Sequence, residues 1–233
     1  AARRMRRSSA GGATPAIDLS LLMPISLPRF YQRLAGELRK SKDFESSLAA
    51  MLAWGAANEP HPVWPKLSAI DVSGEAKAAR AWMPKVLSAA PCPFPIRGIY
   101  FGLGEFVSKR IEYADVYFAL FGQCDLDDVK SNWLWEAPSH YPDNARLKSK
   151  ALKAGGLLCN QDCAATGLST EGYVCFSLSF AALLLRHVLD GALFARLGAT
   201  CPIGVVTGFD SGNRLRLGSL ASEGLILTQR AMT

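Results

Sequence analysis

The sequence predicts an α+β fold, in which N-terminal helices precede a mainly antiparallel sheet with one late helix packed on it. Three observations predict it. Up to about residue 90, apolar side chains recur at helical spacing. From Ile96 the pattern changes to short runs of aromatic and branched residues that end in glycine. A last helical stretch then precedes a strand–turn–strand string near the C-terminus.

The first helix is expected over 27–40, where Leu27, Phe30, Leu34 and Leu38 form a stripe and Pro28 suits a first turn. A second is expected from Asp43, a capping residue, to Ala57. Pro60, Pro62 and Pro65 make 58–66 read as an extended loop. Ser73 can cap a third helix through about Ala89, which Pro84 should kink or divide. The string PCPFP at 91–95 closes the helical part.

IRGIYFGLG (96–104) and ADVYFALFG (114–122) read as the two strands of an antiparallel hairpin that extends into the interval between them. The polar, Trp-containing stretch from Gln123 to Asn144 reads as loop-rich. A short helix is expected over Ala145–Ala154, ended by Gly155-Gly156, and a longer one over Leu178–Leu197. IGVVTGFDSGNRLRLGSL reads as strand, turn, strand, with Gly208, Asp210, Ser211 and Gly212 forming the structural turn. Leu215 and Leu217 alternate with Arg214 and Arg216, as in a half-exposed strand.

Composition sets the class. The chain has 233 residues, 49% hydrophobic and 20% charged, with a mean hydropathy of +0.11, which excludes a disordered, collagenous or coiled-coil protein. Four of the 26 basic residues and one of the 20 acidic ones lie in residues 1–22, so the remainder carries a net charge of only +3 of the total +6. Nucleic acid is therefore not an expected partner. Residues 1–22 are expected to be a disordered basic leader, and 23–233 a single α+β domain with a helical part at 23–90 and a sheet part at 95–233. Ser8–Thr14 supplies no apolar core for a secretory signal. The longest apolar run, Val174–Leu185, falls short of the roughly 20 residues of a membrane span. No membrane partner and a cytoplasmic location are the expectation.

Chemistry-bearing motifs are sparse. Cys92, Cys124, Cys159, Cys163, Cys175 and Cys201 have scattered spacings, and only Cys159 and Cys163 form a tight pair; reduced thiols without metal are expected. His61 and His140 lie in Pro-rich loops and His187 on the late helix, and no HExxH, P-loop or dinucleotide fingerprint occurs. Ser211 sits in a D-S-G string, but without the spacing of a nucleophile elbow. No cofactor, metal site or catalytic residue is expected. The candidate site is the segment 125–141. Asp125, Asp127 and Asp128 supply charge there, and Trp133, Trp135 and Tyr141 belong to the types enriched at interface hot spots.

Three blocks carry a family resemblance. Ile99, Tyr100, Phe101 and Gly102 form the first. Gly122, Asp125, Asp127, Asp128 and Trp133 form the second. Gly208, Phe209, Asp210, Ser211, Gly212 and Gly218 form the third. Over about 95–221 the chain resembles bacterial immunity proteins of polymorphic toxin systems, departing from their pattern at Asn213, where an acid is usual. The resemblance implies a non-enzymatic protein that binds and neutralises a cognate toxin in the cytoplasm. Two alternatives stand beside it: a small hydrolase or transferase using Asp and Ser with a loop histidine, and a structural or oligomeric module.

Overall fold

The computed structural model describes residues 25–40, 43–89, 91–108, 111–125, 127–128, 132–143, 145–166 and 170–228; the expected leader and Met23 lie outside them. The architecture is α+β. Four helices, α1 (Leu27–Arg39), α2 (Phe44–Asn58), α3 (Val63–Ser68) and α4 (Glu75–Ala89), precede the strands β1 (Gly98–Ser108) and β2 (Ile111–Phe121). Next come α5 (Trp133–Glu136), β3 (Ser139–His140) and β4 (Arg146–Leu147). They lead into α6 (Lys150–Thr166), α7 (Thr170–Val188) and α8 (Gly191–Arg196). Last are β5 (Ile203–Phe209), β6 (Arg214–Ala221) and β7 (Gly224–Leu227).

The sheet order is β3-β2-β1-β5-β6-β7, with β4 also paired to β2. All pairings are antiparallel except β1 with β5, which run parallel with Gly98 opposite Gly204 and Gly102 opposite Gly208. A parallel neighbour needs a long crossover, and β2 through α8 supply it.

Several local expectations match. Asp43 caps α2, its carboxylate accepting from Ser46 N at 2.7 Å. The hairpin pairs from Gly98–Phe121 to Ser108–Ile111. The β5–β6 turn falls on 210–213.

Others are corrected. The segment 58–66 is not wholly extended, because Pro62 opens α3. Trp64 on that helix is buried, its indole N–H donating to Glu59 O at 2.7 Å and its ring lying where a Cβ on Gly55 would come within 2.7 Å. Pro84 lies within α4 without dividing it. The pair Gly155-Gly156 does not end a helix but lies mid-way along α6. There the missing side chains admit other elements: a Cβ on Gly155 would lie 2.0 Å from the Phe176 ring, and one on Gly156 3.2 Å from the Tyr113 backbone. The late helix begins earlier than expected and breaks at Leu189-Asp190, where Asp190 restarts the chain as the cap of α8 through Leu193 N. Strand β7 was not anticipated.

α7 is the central helix. Every residue from Gly172 to Leu185 is buried, because α1, α2, α4 and α6 pack around it and the sheet lies against it. That accounts for its apolar character on all sides. No helix among the described residues is long and apolar enough to cross a membrane. One contiguous core runs from Ile25 to Leu225 and takes Ile99, Phe101 and Leu103 of β1 and Val116, Phe118 and Leu120 of β2.

Period-2 alternation turns the neighbours of those residues to the other side of the sheet. There Tyr100, Ala119, Phe121 and Val206 form a smaller cluster with Trp133, Leu134 and Ala137 of the α5 segment. Helices therefore cover one face of the sheet, and among the described residues Cys124, Trp133, Leu134 and Ala137 cover only part of the other.

Candidate functional site

The uncovered part of the second face holds a set of polar and aromatic side chains from strands β1, β2 and β6, the β5–β6 turn, α5 and the residue after β3. Its base is a glycine register. Gly98 and Gly102 on β1 leave room above the backbone, filled by the Trp133 ring over Gly98 and the Tyr117 ring over Gly102; a Cβ would come within 2.5 Å and 2.3 Å of them. Gly208, beside Gly102, has φ +151°, and a Cβ there would meet Asn213 O at 2.2 Å, so the close β5–β6 turn requires glycine.

That turn presents Asp210. Its Oδ1 accepts from the Tyr117 hydroxyl at 2.6 Å and lies 3.3 Å from the Tyr100 hydroxyl, which donates over a shorter 2.7 Å to Gly208 O. The Tyr100 and Tyr117 rings meet edge to face at 6.1 Å. Tyr117 is followed by Tyr141 at 6.3 Å. On the β6 side the Arg214 guanidinium lies over the Trp135 ring, 4.2 Å from its centroid. Trp135 with Arg214 and Asp210 with Tyr117 and Tyr141 thus meet around the Tyr100 hydroxyl and together form a surface strip.

The electrostatics are set by the carboxylate. Burial raises the Tyr100, Tyr117 and Tyr141 hydroxyls above the ordinary tyrosine range, and the neighbouring Asp210 charge raises them further. The three phenols are therefore neutral donors throughout the physiological range. Asp210 itself is exposed at the tip of the turn.

The expected site residues divide. Trp135 and Tyr141 are 66% and 58% exposed, the two most exposed large apolar side chains among the described residues. Trp133 is corrected: it is only 6% exposed, packs edge to face on Phe121 at 5.2 Å, and pins the loop to the sheet. Asp125 and Asp128 serve their own backbone, accepting from Asp127 N and Asn132 N, as Asp does in turns. Asp125 and Asp127 are exposed and Asp128 half-buried. Among the described residues Asp125 and Asp127 make no bond to the strip.

Burial pushes the nearby Cys124 thiol up to about 11. Ser211 is exposed and makes no hydrogen bond among the described residues. The histidines lie elsewhere: His61 Nδ1 accepts from Val63 N, His140 is in β3 opposite Leu120 with its Nε2 buried, and His187 packs on Phe44. Among the described residues Cys92, Cys124 and Cys201 are free thiols, Cys159 and Cys175 are buried, and the Cys163 side chain lies outside the described residues. Among the described residues no three His, Cys, Asp or Glu converge on a metal-sized site.

Tyr100, Tyr117 and Arg214 were not among the expected site residues. The signal was present in the alternation G-I-Y-F-G-L-G, which puts Ile99, Phe101 and Leu103 on one face and Tyr100 among glycines on the other. No protein-family model, curated protein or solved structure matches this chain.

Proposed function

We propose that this is a non-enzymatic binding protein of the bacterial immunity type, which neutralises a cognate toxin in the cytoplasm by docking it on the strip between Trp135 and Tyr141. One observation carries the reading: the two most exposed large apolar side chains among the described residues lie on either side of the Asp210 carboxylate, on the sheet face opposite the helix layer. Exposed aromatics backed by a sheet suit interface anchors, since an aromatic side chain offers a large contact area with only two torsions to order. The Asp210 carboxylate, already holding a tyrosine donor, is placed to accept a Lys or Arg from the partner. Tyr117 and Tyr141 would line that contact.

The test is growth rescue. The chain is expressed beside toxin domains encoded next to its gene, and binding is then measured with the purified pair. Wild type is expected to rescue growth, while Trp135→Ala/Tyr141→Ala and Asp210→Lys are expected to fold and fail, each anchor costing about 2 kcal/mol of binding. Rescue by all variants places the interface elsewhere. Self-association abolished by the same substitutions, with no rescue, makes the strip an oligomer surface instead.

A further inference from the structure

A hollow lies where the linker after α4 meets β2 and the end of α8. Its volume is about 550 Å³, within the roughly 300–1,000 Å³ of small-molecule sites. Its lining is about half polar: Leu87, Phe94 and Leu197 supply apolar surface, and Arg97 and Arg196 stand at it. A smaller hollow of about 170 Å³ between α4 and α8, lined by Met83 and Leu193, shares Arg196. Met83, Leu87, Leu193 and Leu197 line the gap between the two.

The charge here is one-sided. Among the described residues no carboxylate lines the larger hollow. In the smaller one Asp190 already caps α8. Among the described residues neither Arg97 nor Arg196 forms an ion pair, although Arg97 donates to the Cys201 sulfur. Two guanidinium groups beside apolar surface match a carboxylate attached to a hydrocarbon body: the forks bind the anion and the apolar surface takes the chain out of water.

We propose that this hollow binds an aliphatic carboxylate, with its headgroup between Arg97 and Arg196 and its chain over Leu87 and Leu197. The proposal is independent of the partner-binding strip.

Octanoate is titrated into the full chain and followed by amide NMR shifts, with 1-octanol as the uncharged counterpart of equal length. Saturable shifts are expected at Gly198, Ala199 and Thr200, with octanoate binding about tenfold or more tighter than 1-octanol. Arg97→Gln/Arg196→Gln, which replaces two exposed side chains, should keep the melting temperature and lose about tenfold in octanoate affinity. If that variant is less stable, each single substitution is expected to weaken octanoate severalfold. Equal binding of acid and alcohol, undiminished binding by the arginine variants, or no saturable shifts at 198–200 would each overturn the proposal.

Discussion

The Tyr117 hydroxyl donates to Asp210 across the breadth of β1, joining β2 to the β5–β6 turn over 93 residues of sequence. This bond fixes the turn against the sheet and positions the only carboxylate of the strip. Removing it should therefore loosen the turn without unfolding the core, because the helix-side cluster does not include Tyr117.

Tyr117→Phe is expected to cost about 1 kcal/mol in urea denaturation, the usual loss for one partly exposed hydrogen bond. Loss of binding to the partner should exceed that loss of stability. No change in the denaturation midpoint would mean that the bond does not persist in solution.

The raised tyrosine hydroxyls make a pH prediction. Tyr100 and Tyr117 hold their protons more tightly when folded than when unfolded, because burial and then Asp210 disfavour the phenolate. Above about pH 10, the ordinary tyrosine value, the unfolded chain therefore binds fewer protons than the native one. Stability is full below that pH and falls as pH rises beyond it. Melting curves between neutral pH and pH 11 should show this fall, and Tyr100→Phe/Tyr117→Phe should flatten it. An unaltered slope in the double variant would remove these two phenols as its cause.

The two tryptophans of α5 should separate cleanly. Trp133→Ala removes a buried ring that packs over Gly98 and against Phe121, and should cost about 3–5 kcal/mol. Trp135→Ala removes an exposed ring held only by Arg214 among the described contacts, and should stay within about 1 kcal/mol. Thermal or chemical denaturation of the pair decides it; equal losses would contradict the burial difference.

Gly155→Ala sets two effects against each other. Alanine favours a helix interior by about 1 kcal/mol over glycine. The added Cβ, however, would lie 2.0 Å from the Phe176 ring, and Phe176 is among the largest fully buried side chains. Overpacking of about 1–3 kcal/mol should win, so the variant is expected to melt lower. A higher melting temperature would show that Phe176 can shift at little cost.

The Cys124 thiol offers a chemical check on the covered end of the face. With its value pushed up to about 11 by burial, it is almost wholly protonated at neutral pH and should react slowly with thiol reagents. Peptide mass spectrometry after brief labelling at pH 8 should find Cys124 modified at least about tenfold more slowly than in unfolded protein. Trp133→Ala should speed it. Labelling as fast as in denaturant would show that the loop does not cover the site.

Much of this protein was legible along the chain because local rules decide it. Helical spacing gave α1 and α2, Asp43 its cap, the glycine-ended aromatic runs their hairpin, and Asp210–Asn213 their turn. Those signals depend on residues within a few positions of one another. Charge and hydropathy likewise placed Trp135 and Tyr141 in a loop where exposure was an option.

What the chain alone left undecided depends on partners distant in sequence. Gly155-Gly156 has the local form of a helix end, yet α6 continues because Phe176 and Tyr113 occupy the space those glycines leave. Trp133 and Trp135 are nearly identical in local sequence, and only the position of Gly98 beneath one and Arg214 beside the other buries the first and exposes the second. The Trp135–Tyr141 segment and the D-S-G turn read as separate features, about 70 residues apart or more in the chain, until sheet pairing of β2, β1, β5 and β6 set Tyr117 and Arg214 between them. Local sequence determines which elements form, because backbone preference and side-chain period act over a few residues. Tertiary structure alone decides which side chains share a surface, because that follows from strand order and register between segments far apart in the chain.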